Sequence, residues 1–216
     1  MSLKPGFLSP KEPDRISYEN QLAVPLLTES ITALLPKLGY KPIVILCIGT
    51  DRSTGDSLGP LVGAKLNRQL SQFPVYGTLK DPVHAVNLED TIEYINKKHK
   101  FPYIIAIDAC LGKLNSVGTF LASPGPLRPG AGVNKILPEV GSMHITGIVN
   151  VSGFMEYFVL QNTRLHLVMA MADIIAESIK EAESIYIARR ASQKKKWLSE
   201  ISIVTRSTDI EQSQST

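Results

Sequence analysis

Two aspartates follow apolar segments of this chain, and both are placed where an acid could act on a bound group. Asp56 lies in the loop "GTDRSTGDSLGP", directly after an apolar run, and Asp108 ends a second apolar run, "YIIAID". A charge at the end of an apolar strand is costly unless it is exposed or paired. If the two strands are neighbours, one carboxyl group can keep its proton while the other is ionised. That arrangement activates water against a carbonyl group.

The loop around Asp56 differs from a phosphate-binding loop. Its glycines are Gly49, Gly55 and Gly59, and their spacing matches neither G-x-G-x-x-G nor G-x-x-x-x-G-K-[ST]. Asp56 stands where such a loop has its lysine, and a carboxylate there would repel a phosphate. We therefore expect no nucleotide partner.

The loop leaves two roles open for Asp56, a cap of the helix that follows or a catalytic acid. Gly55 lets the backbone turn just before it. We expect Gly55 and Asp51, from the same loop, to bind the substrate.

Apolar runs and helical periodicity alternate along the chain. Predicted strands cover 43–48, 75–79, 83–86, 103–108, 117–122 and 143–151, and predicted helices cover 20–38, 58–70, 88–99 and 163–184. This order predicts an α/β fold with a doubly wound, mostly parallel sheet and helices on both faces. In such sheets the site lies at the carboxyl ends of the strands. We expect an irregular arm over 1–17, a single domain over 18–188, and a basic helix extension with a polar tail over 189–216.

Composition restricts the class of protein. The chain has 216 residues, a net charge of +3 and two cysteines, Cys47 and Cys110, which we interpret as packing residues in a reducing compartment. We see no signal peptide and no membrane-spanning run, so we expect a cytoplasmic protein without a membrane partner. The basic cluster near residue 190 is typical of a solvated helix end, and a nucleic-acid partner is not expected.

Several motifs together resemble a known family. The segments "GTDRSTGDSLGP", "IIAIDACLGK", "PGAGVNK" and "HITGIVNVSGFMEYFVLQNTRL" are similar to those of the sporulation protein YyaC family of endospore-forming bacteria. That family resembles the germination protease of spores and the hydrogenase maturation endopeptidases, which share a doubly wound α/β fold. Matched to the germination protease, the two acids considered catalytic fall on Asp56 and Asp108. The resemblance also includes Lys135, which we expect to hold the substrate.

The same resemblance raises the question of a metal. In the hydrogenase endopeptidases both acidic positions bind a metal, and a histidine completes the set. No histidine stands in "PGAGVNK", and His144, which comes later, is interpreted as structural. We therefore expect no cofactor, although a divalent metal at the two aspartates stays open.

Two functions follow from the motifs. The first is a sporulation-associated peptidase that hydrolyses a specific protein or peptide with Asp56 and Asp108. The second is a non-catalytic spore protein that keeps the fold and binds a partner protein. In either case the resemblance implies a location in the forespore or spore core.

Overall fold

A six-stranded mixed sheet forms the centre of the computed structural model, which describes residues 15–37, 41–70, 72–130 and 137–213. The strands lie in the order β1-β5-β6-β4-β2-β3. Four of them, β3, β2, β4 and β6, are parallel, while β5 is antiparallel to β6 and β1 to β5. The strands are β1 (Ile16–Ser17), β2 (Ile43–Cys47), β3 (Val75–Tyr76), β4 (Tyr103–Gly112), β5 (Thr119–Pro124) and β6 (Met143–Val151).

The central strands are apolar on both faces because both faces are covered. Every residue of β2 is buried. Residues with odd numbers on β2 and β4 pack against helices α1 (Ala23–Leu34), α2 (Leu58–Leu66) and α5 (Leu165–Ser213). Residues with even numbers pack on the other side, where α3 (Leu88–His99) lies. The doubly wound, mostly parallel α/β fold is therefore confirmed.

The predicted helices are present with shifted ends. Helix α2 ends at Leu66, four residues before the predicted end, because the backbone turns there and Gln69 N–H donates to the Leu66 carbonyl at 2.9 Å. Helix α3 has the predicted bounds and ends at Lys100, which adopts a left-handed conformation. Helix α5 begins near the predicted position and continues to Ser213, through the segment expected to be a polar tail. A short helix, α4 (Glu156–Gln161), was not predicted.

Some predicted strands also need correction. The strand predicted over 83–86 is reduced to one bridge between Val83 and Ile48. The predicted arm ends in Ile16 and Ser17, which pair with β5 and form a sheet edge; residues 1–14 lie outside the described part. Among the described residues, no helix combines the length and apolarity needed to cross a membrane.

Strand β4 is longer than predicted, and this changes the setting of Asp108. The residue does not end its strand, because β4 continues to Gly112 by pairing with β6. Strand β2, on the other side of β4, ends opposite Ile107. Asp108 is therefore the first β4 residue beyond the end of β2.

Candidate active site

Asp108 is held by the sheet but opens onto a space beside it. The backbone of Asp108 pairs with Thr146 of β6, whereas the neighbouring strand β2 ends one residue earlier, opposite Ile107. Only 7% of its surface is exposed. The side chain belongs to the face of β4 opposite the one that packs on α5, since its neighbours Ile107 and Ala109 belong to the α5-side core. The sheet thus fixes the position of this carboxyl group.

Asp56 reaches the same space from the loop after β2. It lies in the 3₁₀ turn Gly55–Ser57, which leads directly into α2. Its backbone carbonyl accepts a hydrogen bond from Thr50 N–H at 3.1 Å, which closes the loop. Gly49 has a φ of 137°, and a Cβ built there would lie 2.0 Å from the Asp56 carbonyl oxygen. Only glycine therefore allows this closure.

The two aspartates line one cleft of about 290 Å³. Polar groups on its wall include Ser53, His84 and Cys110, and apolar ones include Leu137, Tyr157 and Leu160. An apolar wall with a few polar groups is typical of a small-molecule or peptide site. The structure thus brings together Asp56 and Asp108, the two acids predicted to act as a pair.

The pKa values of the two carboxyl groups are both raised, but unequally. Burial raises the pKa of Asp108 well above its ordinary value, and the charge of Asp56 raises it further, while the Ala109 backbone N–H works against the shift. Burial also raises the pKa of Asp56, where the Thr50 backbone N–H and the charge of His84 oppose the increase. Because Asp108 is the more deeply buried, it keeps its proton to a higher pH than Asp56.

Four polar residues that line the cleft were not predicted as site residues from the sequence: Thr50, Arg52, Ser53 and His84. His84 follows Val83, whose bridge to Ile48 brings it beside the loop of Asp56. Ser53 is 9% exposed, and within the described residues its hydroxyl has no hydrogen-bond partner. The signal for Ser53 was its position three residues before Asp56. His84 carried no local signal, because only the contact between Val83 and Ile48 places it here.

Two of the residues predicted to bind the substrate, Asp51 and Gly55, do not line the cleft. Asp51 is exposed and is not among the residues that line the cleft. Gly55 is buried and is not among the residues that line the cleft, and a Cβ there would lie 2.7 Å from Thr163 Oγ1 and 2.8 Å from Leu160 Cδ2. Lys135 lies outside the described residues, although Pro129 and Gly130 of the same segment line the cleft. Asp51 and Gly55 thus lie outside the cleft wall, and their contact with a substrate stays a prediction.

The remaining histidine and cysteine candidates have structural settings. His144 Nδ1 donates to the Gly125 carbonyl at 3.0 Å, away from the cleft. Cys110 lines the cleft, but burial and the charge of Asp108 raise the pKa of its thiol to about 11. Burial likewise raises the pKa of Cys47. Since a nucleophilic cysteine needs a lowered pKa, neither thiol is suited to that role.

The donor set gives little support for a metal centre. In residues 15–37, 41–70, 72–130 and 137–213, no group of three or more His, Cys, Asp or Glu side chains is placed to hold an ion. The two aspartates alone do not form such a set, and we derive no step through a metal.

The fold and the cleft define a class: an α/β protein with a doubly wound sheet and, at the carboxyl edge, a buried acid beside a half-buried one. The chain belongs to the family described as "Protein of unknown function (DUF1256)", whose model matches residues 15–178. It is 59% identical over 182 residues to "Uncharacterized protein YyaC" of Bacillus subtilis (strain 168), covering 83% of this chain and 89% of that one. The resemblance to the YyaC family is confirmed.

A solved structure with a similar fold was also found. It is the crystal structure of a [NiFe] hydrogenase maturation protease, HycI, from Thermococcus kodakarensis KOD1. The TM-score is 0.48 at 16% sequence identity, and the match covers 71% of this chain and 98% of that chain.

Proposed function

We propose that this protein is a peptidase that hydrolyses a specific protein or peptide with Asp56 and Asp108. One observation carries the proposal: two carboxyl groups with unequally raised pKa values line the same cleft. Two acids whose surroundings separate their pKa values are suited to act as an acid and a base at the same pH. Neither has an ion-pair partner among the described residues that would explain its place as structural.

The unequal burial assigns the two roles. Asp56 is ionised at lower pH and serves as the general base, taking a proton from water as its oxygen bonds to the peptide carbonyl carbon. Asp108 keeps its proton and serves as the general acid, donating it to the amide nitrogen as the C–N bond breaks. The products are a carboxylic acid and an amine, and transfer of the proton from Asp56 to Asp108 restores the starting state.

The cleft favours a peptide as the substrate. Its apolar wall residues Leu137, Tyr157 and Leu160 can hold aliphatic or aromatic side chains. A volume of about 290 Å³ accommodates only a short part of a chain. We expect the substrate to present an extended segment, with the rest of its surface outside the cleft.

A location in the forespore or spore core belongs to the same proposal and rests on the resemblance of the motifs. Fluorescence of a tagged chain followed through sporulation tests it. A signal restricted to the mother cell would contradict it.

Mapping of new protein N-termini tests the activity. A native extract of the source organism is incubated with the wild-type protein, with Asp56→Asn, or with Asp108→Asn, and N-termini are labelled and identified by mass spectrometry. We expect a small set of new termini with the wild type and none with either variant. A peptide that spans the cut site then serves as the kinetic substrate.

The variant that carries both Asp56→Asn and Asp108→Asn tests whether the two acids act together. Because the two acids act as one unit, it should be scarcely slower than either single variant. If the wild type produces no new termini, or if both single variants produce the same set as the wild type, the peptidase proposal is wrong.

The alternative, a partner-binding protein without catalysis, is favoured by the surface beside the cleft. Phe154 is 91% exposed, and Met155, Tyr157 and Phe158 are each more than half exposed. Exposed apolar patches often mark interaction sites. Capture of one and the same partner by the wild type and both asparagine variants, without cleavage, would replace the peptidase with this function.

A further inference from the structure

His84 is a polar side chain of the cleft wall that comes from outside the Asp56 loop and is connected to it through its neighbour Val83. Val83, just before it, forms a bridge with Ile48, and the Val83 carbonyl accepts a hydrogen bond from Gly49 N–H at 2.8 Å. Gly49 packs in turn against the Asp56 carbonyl. The segment that carries His84 and the loop that carries Asp56 therefore share a contact.

The turn before α3 fixes the backbone of His84. Its N–H donates to Asn87 Oδ1 at 2.8 Å, and its carbonyl accepts a hydrogen bond from Leu88 N–H at 2.9 Å. Asn87 Nδ2 also donates to the Pro82 carbonyl at 3.1 Å. These contacts fix the backbone of His84 beside the cleft that its side chain lines.

The hydrogen bond to Nδ1 identifies the tautomer. Val86 N–H donates to His84 Nδ1 at 3.3 Å. Nδ1 must then offer a lone pair, so the neutral ring carries its hydrogen on Nε2. Among the described residues, none accepts a hydrogen bond from Nε2. A donor on the cleft wall is thus left for a ligand.

His84 and Asp56 face the same space without touching. Both side chains line the cleft, and no hydrogen bond joins them. A reacting group between them would meet an acceptor on one side and a donor on the other. A peptide carbonyl under attack by water needs both, a base for the water and a donor for the oxygen that becomes negative.

We propose that His84 is a third catalytic residue, whose Nε2–H binds the carbonyl oxygen of the scissile peptide and stabilises the negative charge that forms there. The inference rests on the proposed peptidase function. It leaves Asp56 as the base and Asp108 as the acid toward the leaving amine, and it adds a second donor, directed at the carbonyl oxygen.

Two substitutions separate this role from a structural one. In His84→Gln the side-chain amide can place a donor where Nε2 was. In His84→Asn the amide oxygen can still accept from Val86 N–H, but the chain is too short to replace Nε2. His144→Gln is the control, since His144 is also half-buried and donates to the Gly125 carbonyl away from the cleft.

Kinetics with the cut-site peptide give the first measurement. We expect His84→Asn to lower kcat by about 10²–10³ with little change in KM, the cost of losing one oxyanion donor. His84→Gln should recover much of that loss, and His144→Gln should retain the wild-type rate. If His84→Asn matches the wild type, or if Gln is slower than Asn, the inference is wrong while the peptidase function stands. If the wild type cleaves nothing, the peptidase proposal fails first and this inference falls with it.

Nuclear magnetic resonance gives a measurement that does not depend on activity. Long-range ¹H–¹⁵N correlation spectra of the folded protein, recorded at a pH where the ring is neutral, show which nitrogen carries the hydrogen. We expect the Nε2–H tautomer for His84, and the spectrum of His84→Gln identifies the signal. A neutral ring with its hydrogen on Nδ1 would overturn the inference whatever the kinetics show.

Discussion

Two buried carboxyl groups of this protein, Asp108 and Glu183, differ in the groups that surround them. Asp108 is 7% exposed and Glu183 5%. Glu183 lies on α5, and its Oε1 accepts hydrogen bonds from the backbone N–H groups of Gln72 at 2.7 Å and Phe73 at 3.0 Å. Asp108 lines the cleft, where the Ala109 backbone N–H is the contact that favours its charge and Asp56 opposes it.

The difference shows how burial of an acid can serve either the fold or a site. The oxygen of Glu183 satisfies two backbone donors just before β3 and so attaches that segment to α5. Removing it would leave both donors without a partner. Asp108 satisfies little of the fold, and burial together with the charge of Asp56 raises its pKa, which favours the neutral form. A buried acid of that second kind is a candidate for chemistry.

The largest expected effect is on the rate as a function of pH. If Asp56 must be ionised and Asp108 protonated, kcat/KM should follow a bell-shaped curve. It should fall about tenfold per pH unit below the pKa of Asp56 and above that of Asp108. Because both pKa values are raised, the acidic limb should lie above pH 3.8, the ordinary value for an aspartate. Initial rates with the cut-site peptide measure the curve.

The two apparent values belong to the coupled pair rather than to single residues. A rate that stays constant from pH 3 to pH 9 would show that neither carboxyl group needs a defined protonation state. Asp108 would then be no more catalytic than Glu183.

The next effect concerns the free energy of unfolding. Glu183→Ala should lower it by about 2–4 kcal/mol, since it leaves the buried Phe73 N–H and the partly buried Gln72 N–H unpaired and opens a cavity. Glu177→Ala, on the same helix, is the matched control, because Glu177 forms a half-exposed pair with Lys180 and should change stability by less than about 1 kcal/mol. Urea denaturation measures both. An equal loss in the two variants would contradict the structural role of Glu183.

Asp108→Asn should instead raise the free energy of unfolding. A carboxyl group whose pKa is raised by folding contributes nothing at low pH, where both states hold the proton. As the pH rises above the unfolded value, the folded state becomes less stable. The asparagine variant, which cannot ionise, should therefore match the wild type at pH 3 and exceed it at pH 8, by about 1–3 kcal/mol. Thermal denaturation at the two pH values is the measurement, and a less stable variant at pH 8 would contradict the prediction.

The smallest effect is expected at two serines of the Asp56 loop. Ser57 Oγ donates to the Thr54 carbonyl at 2.6 Å, whereas the Ser53 hydroxyl has no partner among the described residues. Ser57→Ala should destabilise the protein by about 1 kcal/mol, while Ser53→Ala should be neutral or stabilising. Melting temperatures compare the two directly. A clear loss in Ser53→Ala would show that its hydroxyl has a partner after all.

Parts of the fold with a local signal could be predicted from the sequence. Strand β6 has the predicted bounds, and so does α3, whose first turn holds Glu89 and Asp90. Elements that depend on contacts distant in the sequence could not be predicted from it. The edge strand Ile16–Ser17 is too short for any alternation of polar and apolar residues, and α4 exposes the apolar residues Tyr157 and Phe158 that would otherwise mark a core face.

The candidate site was also predictable only in part. Asp56 and Asp108 follow strand-like runs, and parallel strand order brings them to one edge. The end of β4 was misjudged because pairing with β6 continues past Asp108, which no pattern in residues 103–108 reveals. The side chain of Asn87, which precedes α3, accepts from His84 N–H and caps no N–H of the helix, so it is a distant part of the site's support that no local pattern reveals.

The two aspartates lie on segments of unequal rigidity, a strand for Asp108 and a loop for Asp56. Asp108 belongs to a strand that stays hydrogen-bonded to β6 on both sides of it, while Asp56 lies in a short turn closed by the contact between Thr50 and its own carbonyl. In hydrogen–deuterium exchange, the amides of β4 should resist exchange far longer than those of residues 50–57. The distance between the two carboxyl groups therefore changes through movement of the loop and not of the strand. Any ligand that regulates this distance must act on the loop.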